Sequence, residues 1–347
     1  MLYEQTLDEI KEYYGKVLDT NDDLKTNACC TAEMMPHHLR EILAQIHPDV
    51  ISKFYGCGSP IPYELEGKTV LDLGSGSGRD CFILSKLVGP FGKVIGVDMT
   101  DEQLAVAREH VDYHMAKFGY SESNITFHKG YIEDLAAIGI EDNSIDVVVS
   151  NCVLNLSPDK SRVFSEIWRV LKPGGEMYFS DVFSGRRVPT EVACDPVLVG
   201  ECLGGALYIE DFRRMLSRLG CLDYRIVSKY RITLNNWDVE QKAGMIDFWS
   251  MTVRAFKLDM EDRCENYGQV AFYKGGIEAS PHAFTLDDHH TFPKGIPVPV
   301  CGNTANMLSK SRYARYFNLI GDTTTHHGLF DCGPETAATD NDFGACC

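Results

Sequence analysis

Two short motifs place cysteines where a folded α/β chain could use them for chemistry. Cys152 stands in "SNCVLNL", directly after the β-branched run "IDVVVS", which predicts a buried strand. Cys202 stands in "GECLGGALY", in the connection after a later predicted strand. Because the carboxyl ends of strands in an open α/β sheet share one crevice, these two thiols are expected to converge there. Cys57, in the N-terminal "FYGCGSPIP", could fold over them.

Thiolates gathered in one crevice form a site for a soft ion. Arsenic(III) is three-coordinate and thiophilic, and its remaining lone pair can attack an electrophilic carbon. The binding thiols must lose their protons, so the affinity should depend on pH. The doublets Cys29–Cys30 and Cys346–Cys347 also suit a thiophilic ion or redox exchange better than structural zinc.

The composition describes a globular chain with many cysteines. Its 347 residues are 44% hydrophobic, which is enough for a real core. The formal charge of −17 argues against general nucleic-acid binding and against anionic membranes. No run approaches 18 apolar residues, and the opening residues form a charged amphipathic pattern rather than a secretion signal. We therefore expect a cytoplasmic protein whose 13 cysteines are not a disulfide framework.

Strand and helix patterns alternate through the middle of the chain and predict a parallel sheet wound on both faces. We expect an N-terminal helical and loop segment at 1–66 and the alternating domain at 67–234. The alternation of strand and helix patterns ends after residue 234, which predicts a small α+β domain at 235–330. The polar stretch 331–347 is expected to be a mobile, cysteine-containing tail.

A glycine loop, "VLDLGSGSGRD", lies between a predicted strand and a predicted helix. Its glycines, Gly74, Gly76 and Gly78, allow a ligand to approach the backbone closely. Asp98 ends the next strand, where a carboxylate can hold both hydroxyls of a ribose. Asp72, inside the end of the strand, separates the loop from the usual NAD fingerprint, although NAD remains the alternative cofactor.

The glycine loop, together with the later stretch "GKVIGVDM", resembles the cofactor motifs of the Rossmann-like class I S-adenosylmethionine methyltransferases. Nearly the whole chain further resembles the arsenite S-adenosylmethionine methyltransferases, through "DLKTNACC", "FYGCG", "SNCVLNLSPDK", "LKPGGEMYFSDV", "GECLGGALY" and "FTLDDHHTFPKG". The resemblance implies methyl transfer from S-adenosylmethionine to thiolate-bound arsenic(III). Methylated and dimethylated arsenicals would form, in arsenic detoxification, without a structural metal.

The same resemblance implies roles for individual residues. Cys152 and Cys202 would hold arsenic(III), with Cys57 as a third ligand that also forms a redox disulfide with Cys29; the adjacent Cys30 is the alternative. Arsenite and methylarsenite would arrive as thiol conjugates, thioredoxin or glutathione would reduce the disulfide, and the protein would act as a monomer. The implied cofactor contacts are Tyr55, Asp72, Gly74, Ser75, Gly76, Gly78, Asp98, Met99, Ile132, Glu133 (or Asp134) and Asn151.

Other interpretations of the cysteines stay open. A methyltransferase for an organic acceptor, or a protein that only sequesters soft ions, would contain the same thiol motifs. Packing is the expected role of the isolated cysteines, since free cysteine is commonly a small buried hydrophobe; they are Cys81, Cys194, Cys221, Cys264 and Cys301. The tail thiols Cys332, Cys346 and Cys347 could capture arsenic or have no role.

Overall fold

The fold is taken from a computed structural model that describes residues 35–54, 56 and 59–332. The predictions on Cys29, Cys30, Tyr55 and Cys57, and those on the terminal stretch 333–347, lie outside the described residues. Within the described chain, a large mixed sheet covered by helices precedes a smaller unit of short strands.

The main sheet has the strand order β3-β2-β1-β4-β5-β8-β7, with the short β6 paired to β5. Its first five strands are mutually parallel, as the alternating pattern predicts. The strands are β1 (Thr69–Leu73), β2 (Lys93–Asp98), β3 (Ile125–Lys129), β4 (Ile145–Asn151), β5 (Leu171–Ser184), β6 (Leu207–Tyr208), β7 (Tyr224–Arg231) and β8 (Phe248–Phe256).

Helices cover both faces of this sheet because its central strands are apolar on both sides. Neighbouring residues of one strand belong to different buried clusters. Val70 of β1 and Val147 of β4 pack into one cluster, whereas Leu71 of β1 and Val148 of β4 pack into the other. The helices are α1 (His37–Leu43), α2 (Pro48–Ser52), α3 (Arg79–Val88), α4 (Asp101–Glu109), α5 (Val111–Phe118), α6 (Lys160–Val170), α7 (Thr190–Ala193), α8 (Pro196–Gly200), α9 (Ile209–Arg218) and α10 (Trp237–Ala243).

The structure corrects two expectations about these elements. The sheet is mixed rather than wholly parallel, because β8 runs antiparallel to both β5 and β7. The β8 strand lies inside the range 235–330 that was predicted for the smaller unit, yet its nine residues pair along β5 in the main sheet. Residues 101–118 form two helices that meet at His110, whose ring nitrogen bonds to the carbonyl of Val106 at 2.9 Å.

The smaller unit follows β8 and has its own apolar cluster, which includes Tyr273, Phe284 and Tyr313. Strand β9 lies between β12 and β13, and β10 pairs with β11. Among the residues that the structure describes, we find no helix that could cross a membrane. The elements are β9 (Gln269–Tyr273), β10 (Ala283–Thr285), β11 (Thr291–Pro293), β12 (Pro297–Val300), α11 (Gly302–Ser309) and β13 (Phe317–Ile320).

Candidate active site

A cavity of about 1010 Å³, including its open mouth, lies at the carboxyl ends of β1, β2 and β4. The strand order reverses between β1 and β4, and open α/β sheets bind their ligands at such a switch point. The predicted residues that line the cavity are Asp72, Gly74, Ser75, Gly76, Asp98, Met99, Ile132, Glu133, Asn151, Cys152 and Cys202.

The glycine loop folds back over the end of β2. The amides of Gly74 and Ser75 both donate to the carbonyl of Val97, at 2.8 and 3.0 Å. Gly74 has φ +73°, and a Cβ there would lie 2.3 Å from the side chain of Val153, so the loop needs glycine. Gly78, which the sequence predicted as a cofactor contact, does not line the cavity; it precedes α3 with φ +88°.

Asp98 is the acidic residue predicted to hold a ribose. Its Oδ2 accepts the amide of Gly76 at 2.9 Å, and its Oδ1 accepts the amide of Thr100 at 2.8 Å. Burial raises the pKa of Asp98, while these two hydrogen bonds act in the opposite direction. Each carboxylate oxygen retains acceptor capacity toward the cavity, which is what a vicinal diol requires.

The cavity is acidic and contains an unsatisfied hydroxyl. Burial and the neighbouring Asp80 raise the pKa of Asp72 to about 7. The buried Oγ of Ser75 has no hydrogen-bond partner among the described residues, and such groups are rare unless a ligand completes them. The combination fits a ligand with polar groups and positive charge, as the amine and sulfonium of S-adenosylmethionine provide.

Asn151, at the end of β4, is held by a buried network. Its Nδ2 donates to Asp80 Oδ2 at 3.0 Å, while Arg79 clamps Asp80 Oδ1 at 2.7 and 2.9 Å. The guanidinium of Arg79 also stacks on the ring of Phe54, 3.1 Å from its centroid. A Cβ on Gly56 would lie 2.8 Å from Asn151, so the N-terminal segment passes directly against the cavity.

The loop after β3 contributes the opposite wall. Ile132 and Glu133 are both buried and both line the cavity. The carboxylate of Glu133 accepts the hydroxyl of Ser157 at 2.5 Å. Asp134, the alternative to Glu133, pairs instead with Arg162 at 3.3 Å and does not line the cavity.

Cys152 and Cys202 meet at the cavity although 50 positions separate them in the sequence. They are 5% and 1% exposed, and the thiol of Cys202 bonds to the carbonyl of Cys152 at 3.6 Å. Both have left-handed backbones, with φ +54° and +60°, which is uncommon for residues other than glycine. Strained positions of this kind cluster at functional sites, where the surrounding structure holds them in place.

The thiols differ in their chemical state. Cys152 and Cys264 are each disulfide-bonded. Burial raises the pKa of Cys221 to about 12 and that of Cys81 well above its ordinary value, so both remain protonated. The pKa of Cys301 is lowered to about 5, chiefly by a hydrogen bond with Cys332, because that bond favours the thiolate.

The loop that carries Cys202 touches the loop that carries Cys152 at Gly205. A Cβ at Gly205 would lie 2.0 Å from the backbone carbonyl oxygen of Asn155, so neither backbone could keep its position. We expect Gly205→Ala to lower kcat/KM at least about tenfold, since small misplacements of reacting groups are costly. Steady-state kinetics together with a cofactor-binding titration would test this, and cofactor affinity should change little.

Gly220→Ala is the matched control for Gly205→Ala. Gly220 has φ +82° but open space around its Cβ position, so alanine there strains the backbone without touching the site. We expect a stability loss of about 1 kcal/mol and unchanged turnover. Equal losses of turnover in both variants would contradict a specific role for the contact between Gly205 and Asn155.

Several lining residues were not predicted from the sequence. Asp80 could have been found, because it follows the glycine loop in the first turn of a helix. No motif in the sequence marks Lys53 and Phe54 as lining residues, because they reach the cavity only where the N-terminal segment passes it. The unpredicted lining residues are Lys53, Phe54, Ser77, Asp80, Thr100, Gln103, Gly130, Tyr131, Val153, Leu156 and Ser157.

The fold and the cavity define a Rossmann-like methyltransferase. Residues 64–220 match the family of methyltransferase domains, and residues 266–343 match the arsenite methyltransferase C-terminal domain. Both matches agree with the predicted fold class, and the second reaches beyond the expected domain limit of 330 into the tail.

Individual relatives narrow the class to one family. The chain is 52% identical to arsenite methyltransferase of Aquipseudomonas alcaligenes, over 94% of each chain. It is 45% identical to the human arsenite methyltransferase, over 89% of this chain and 82% of that one. A crystal structure of CrArsM, an arsenic(III) S-adenosylmethionine methyltransferase from Chlamydomonas reinhardtii, matches with a TM-score of 0.83 and 50% identity, over 86% of this chain and all of that one. The chain belongs to the arsenite methyltransferase family.

Proposed function

We propose that this protein transfers the methyl group of S-adenosylmethionine to arsenic(III) held by Cys152 and Cys202. The observation that carries the proposal is that both cysteines line the same cavity as the glycine loop and Asp98. The donor and the acceptor would therefore meet in one crevice. Such alignment can contribute up to about 7–11 kcal/mol toward lowering the barrier.

The residues of the cavity have distinct tasks in this mechanism. Asp98 and the glycine loop orient the donor, while Cys152 and Cys202, as thiolates, present arsenic with its lone pair toward the methyl carbon. When bound, S-adenosylmethionine supplies the methyl group and leaves as S-adenosylhomocysteine. No proton leaves arsenic, so the site needs no general base, and the carboxylates can serve binding and charge compensation instead.

Cys152 is disulfide-bonded, so it must be reduced before it can hold arsenic, and we propose that a redox step belongs to the cycle. Arsenic is formally oxidised when it gains the methyl group, and oxidation of two cysteines to a disulfide would return the two electrons. We assign this step, and the third arsenic ligand, to Cys57 with Cys29 as its redox partner. Cys57 comes directly after Gly56 in the sequence, and Gly56 lies against Asn151, which lines the cavity; this sequence position supports the assignment.

We expect Cys57→Ser and Cys29→Ser to lower turnover of inorganic arsenite at least about tenfold more than turnover of monomethylarsenite. Monomethylarsenite has two exchangeable positions and therefore requires fewer thiols. Rates with both substrates at one fixed reductant concentration would test this. Cys30→Ser is the matched control, and it should leave both rates unchanged. Equal loss on both substrates would contradict the assignment, and loss in Cys30→Ser alone would move the redox role to Cys30.

The substrate is proposed to arrive as a thiol conjugate of arsenite or methylarsenite, with thioredoxin or glutathione reducing the enzyme disulfide by exchange. We place the reaction in the cytosol, whose reducing poise favours free thiols, and we propose a monomer. The product would be methylated and then dimethylated arsenic, and the role would be detoxification. The formal charge of −17 supports the proposal that nucleic acid is not a partner.

The direct test measures S-adenosylhomocysteine formation by the purified protein with a thiol reductant, with and without arsenite, and then identifies the arsenic species. Arsenite-dependent turnover with methylated products is expected. Cofactor binding without arsenite-dependent turnover would overturn the proposal in favour of an organic acceptor. Arsenite binding without cofactor binding would overturn it in favour of sequestration.

A further inference from the structure

Three cysteines of the C-terminal region meet outside the cavity. The sulfur atoms of Cys264, Cys301 and Cys332 all lie within 4.8 Å of one another. None of the three lines the cavity that contains Cys152 and Cys202. Cys264 and Cys301 are buried, while Cys332 is partly exposed and connects the cluster to solvent.

The backbone assembles this cluster from three separate segments. Residues 264–266 form an antiparallel bridge with 327–330, and the amide of Phe330 donates to the carbonyl of Cys264 at 2.7 Å. Gly302, at the start of α11, donates to the carbonyl of Glu265 at 3.0 Å and so brings the adjacent Cys301 beside the bridge. Two independent sets of backbone hydrogen bonds therefore hold together the three segments that carry these cysteines.

Polar donors surround the sulfur of Cys301. The amide of Thr304 donates to it at 3.4 Å, and the guanidinium of Arg225 reaches it at 3.9 Å. Arg225 is itself paired with Asp223 at 2.7 Å and Asp287 at 3.1 Å. Donors aimed at a sulfur favour its thiolate form, and the thiolate is the form that binds soft ions.

We propose that Cys264, Cys301 and Cys332, when reduced, form a second binding site for trivalent arsenic. Three sulfurs bonded to one pyramidal ion at about 2.3 Å lie about 3.4 Å apart. The three sulfurs, already within 4.8 Å of one another, would therefore have to move closer together when the ion binds. The inference takes arsenic as the ligand because the proposed function makes it the substrate. It does not depend on methyl transfer.

The binding step balances without a change in oxidation state. An external dithiol first reduces the disulfide of Cys264 and is itself oxidised to a disulfide. Three As–OH bonds of arsenous acid then break, three As–S bonds form, and three water molecules leave. Each thiol that is still protonated supplies one of the three protons that this needs, and solvent supplies the proton for a sulfur that is already a thiolate. The product is a neutral arsenic trithiolate.

Charge distinguishes arsenic from zinc at this site. A zinc ion with three thiolates carries one negative charge, whereas the arsenic trithiolate carries none. Asp223 and Asp287 already balance the positive charge of Arg225. Arg225 therefore has little charge left to neutralise a negatively charged zinc complex in these buried surroundings. Zinc also prefers a fourth ligand, and the described residues bring three to this cluster.

The experiment counts arsenic bound to the full-length, fully reduced protein after removal of free arsenite. The background is the double variant Cys152→Ser, Cys202→Ser, which lacks the two thiols that line the cavity in the described part of the chain. We expect about one arsenic per chain in this background, with three As–S bonds by X-ray absorption. Adding Cys301→Ser or the more exposed Cys332→Ser should abolish it. Cys221→Ser, also a buried cysteine, is the matched control and should retain it.

Three further outcomes would overturn the inference, and a fourth would separate it from the proposed function. Arsenic that stays bound after Cys301→Ser and Cys332→Ser but is lost on Cys346→Ser, Cys347→Ser would assign it to the tail doublet. Retention of zinc in preference to arsenic would assign a metal site instead. A background variant that binds no arsenic would exclude the second site. If wild-type protein binds one arsenic that Cys301→Ser removes, the second site stands and the proposed function fails.

Discussion

Replacing either Cys152 or Cys202 with serine is expected to lower methyl transfer at least about 100-fold for every arsenic species. Each change removes one of the two thiols that line the cavity among the described residues, and an acceptor that has lost this thiolate is no longer aligned with the methyl carbon. A serine hydroxyl cannot replace the thiolate, because it is a harder ligand and is not ionised near neutral pH. Arsenite-dependent formation of S-adenosylhomocysteine measures the loss.

The control for these variants is Cys221→Ser, which changes a buried cysteine away from the cavity. It should retain turnover, and all three variants should bind S-adenosylmethionine as the wild type does. Full activity with monomethylarsenite in Cys152→Ser or Cys202→Ser would contradict the role of that thiol. Loss of cofactor binding in either variant would instead indicate that the cavity had collapsed.

Much of the fold could be predicted because its signals are local. The alternation of apolar runs and amphipathic stretches identified the five parallel strands, and the glycine loop identified where a ligand enters. The antiparallel partners β7 and β8 could not be predicted in the same way. Nothing in the residues 248–256 shows whether they pair with β5 or with the smaller unit, since that choice depends on contacts about 70 residues away.

The cavity thiols and the three-cysteine cluster of the C-terminal region show the same limit on what the sequence alone can predict. Cys152 and Cys202 were expected to converge because a topological rule brings the ends of parallel strands together. No such rule applies to Cys264, Cys301 and Cys332, which were interpreted as packing or left open. Their meeting depends on an isolated bridge at Glu265 and on the start of one helix, features without periodicity in the sequence.

Replacement of Asp98 with asparagine is the second change for which we expect a large effect. The carboxylate accepts two backbone amides and, in our proposal, both ribose hydroxyls. Asparagine keeps one acceptor oxygen and places an NH₂ group against an amide donor, so the glycine loop loses support and the ribose loses its charged partner. Each hydrogen bond to a charged group is worth about 1.5–3 kcal/mol. Two of them correspond to about 100- to 20,000-fold weaker cofactor binding.

Asp101→Asn is the matched control for Asp98→Asn. Asp101 lies three residues after Asp98 in the sequence, and its exposed carboxylate pairs with Lys129 at the surface. An exposed pair contributes little, so cofactor affinity should change less than about threefold. Calorimetric titration of both variants with S-adenosylhomocysteine would separate the two cases. Arsenite binding to reduced Asp98→Asn should remain near that of the wild type, because the thiols do not depend on the ribose site. Unchanged cofactor affinity in Asp98→Asn would place the ribose elsewhere in the cavity.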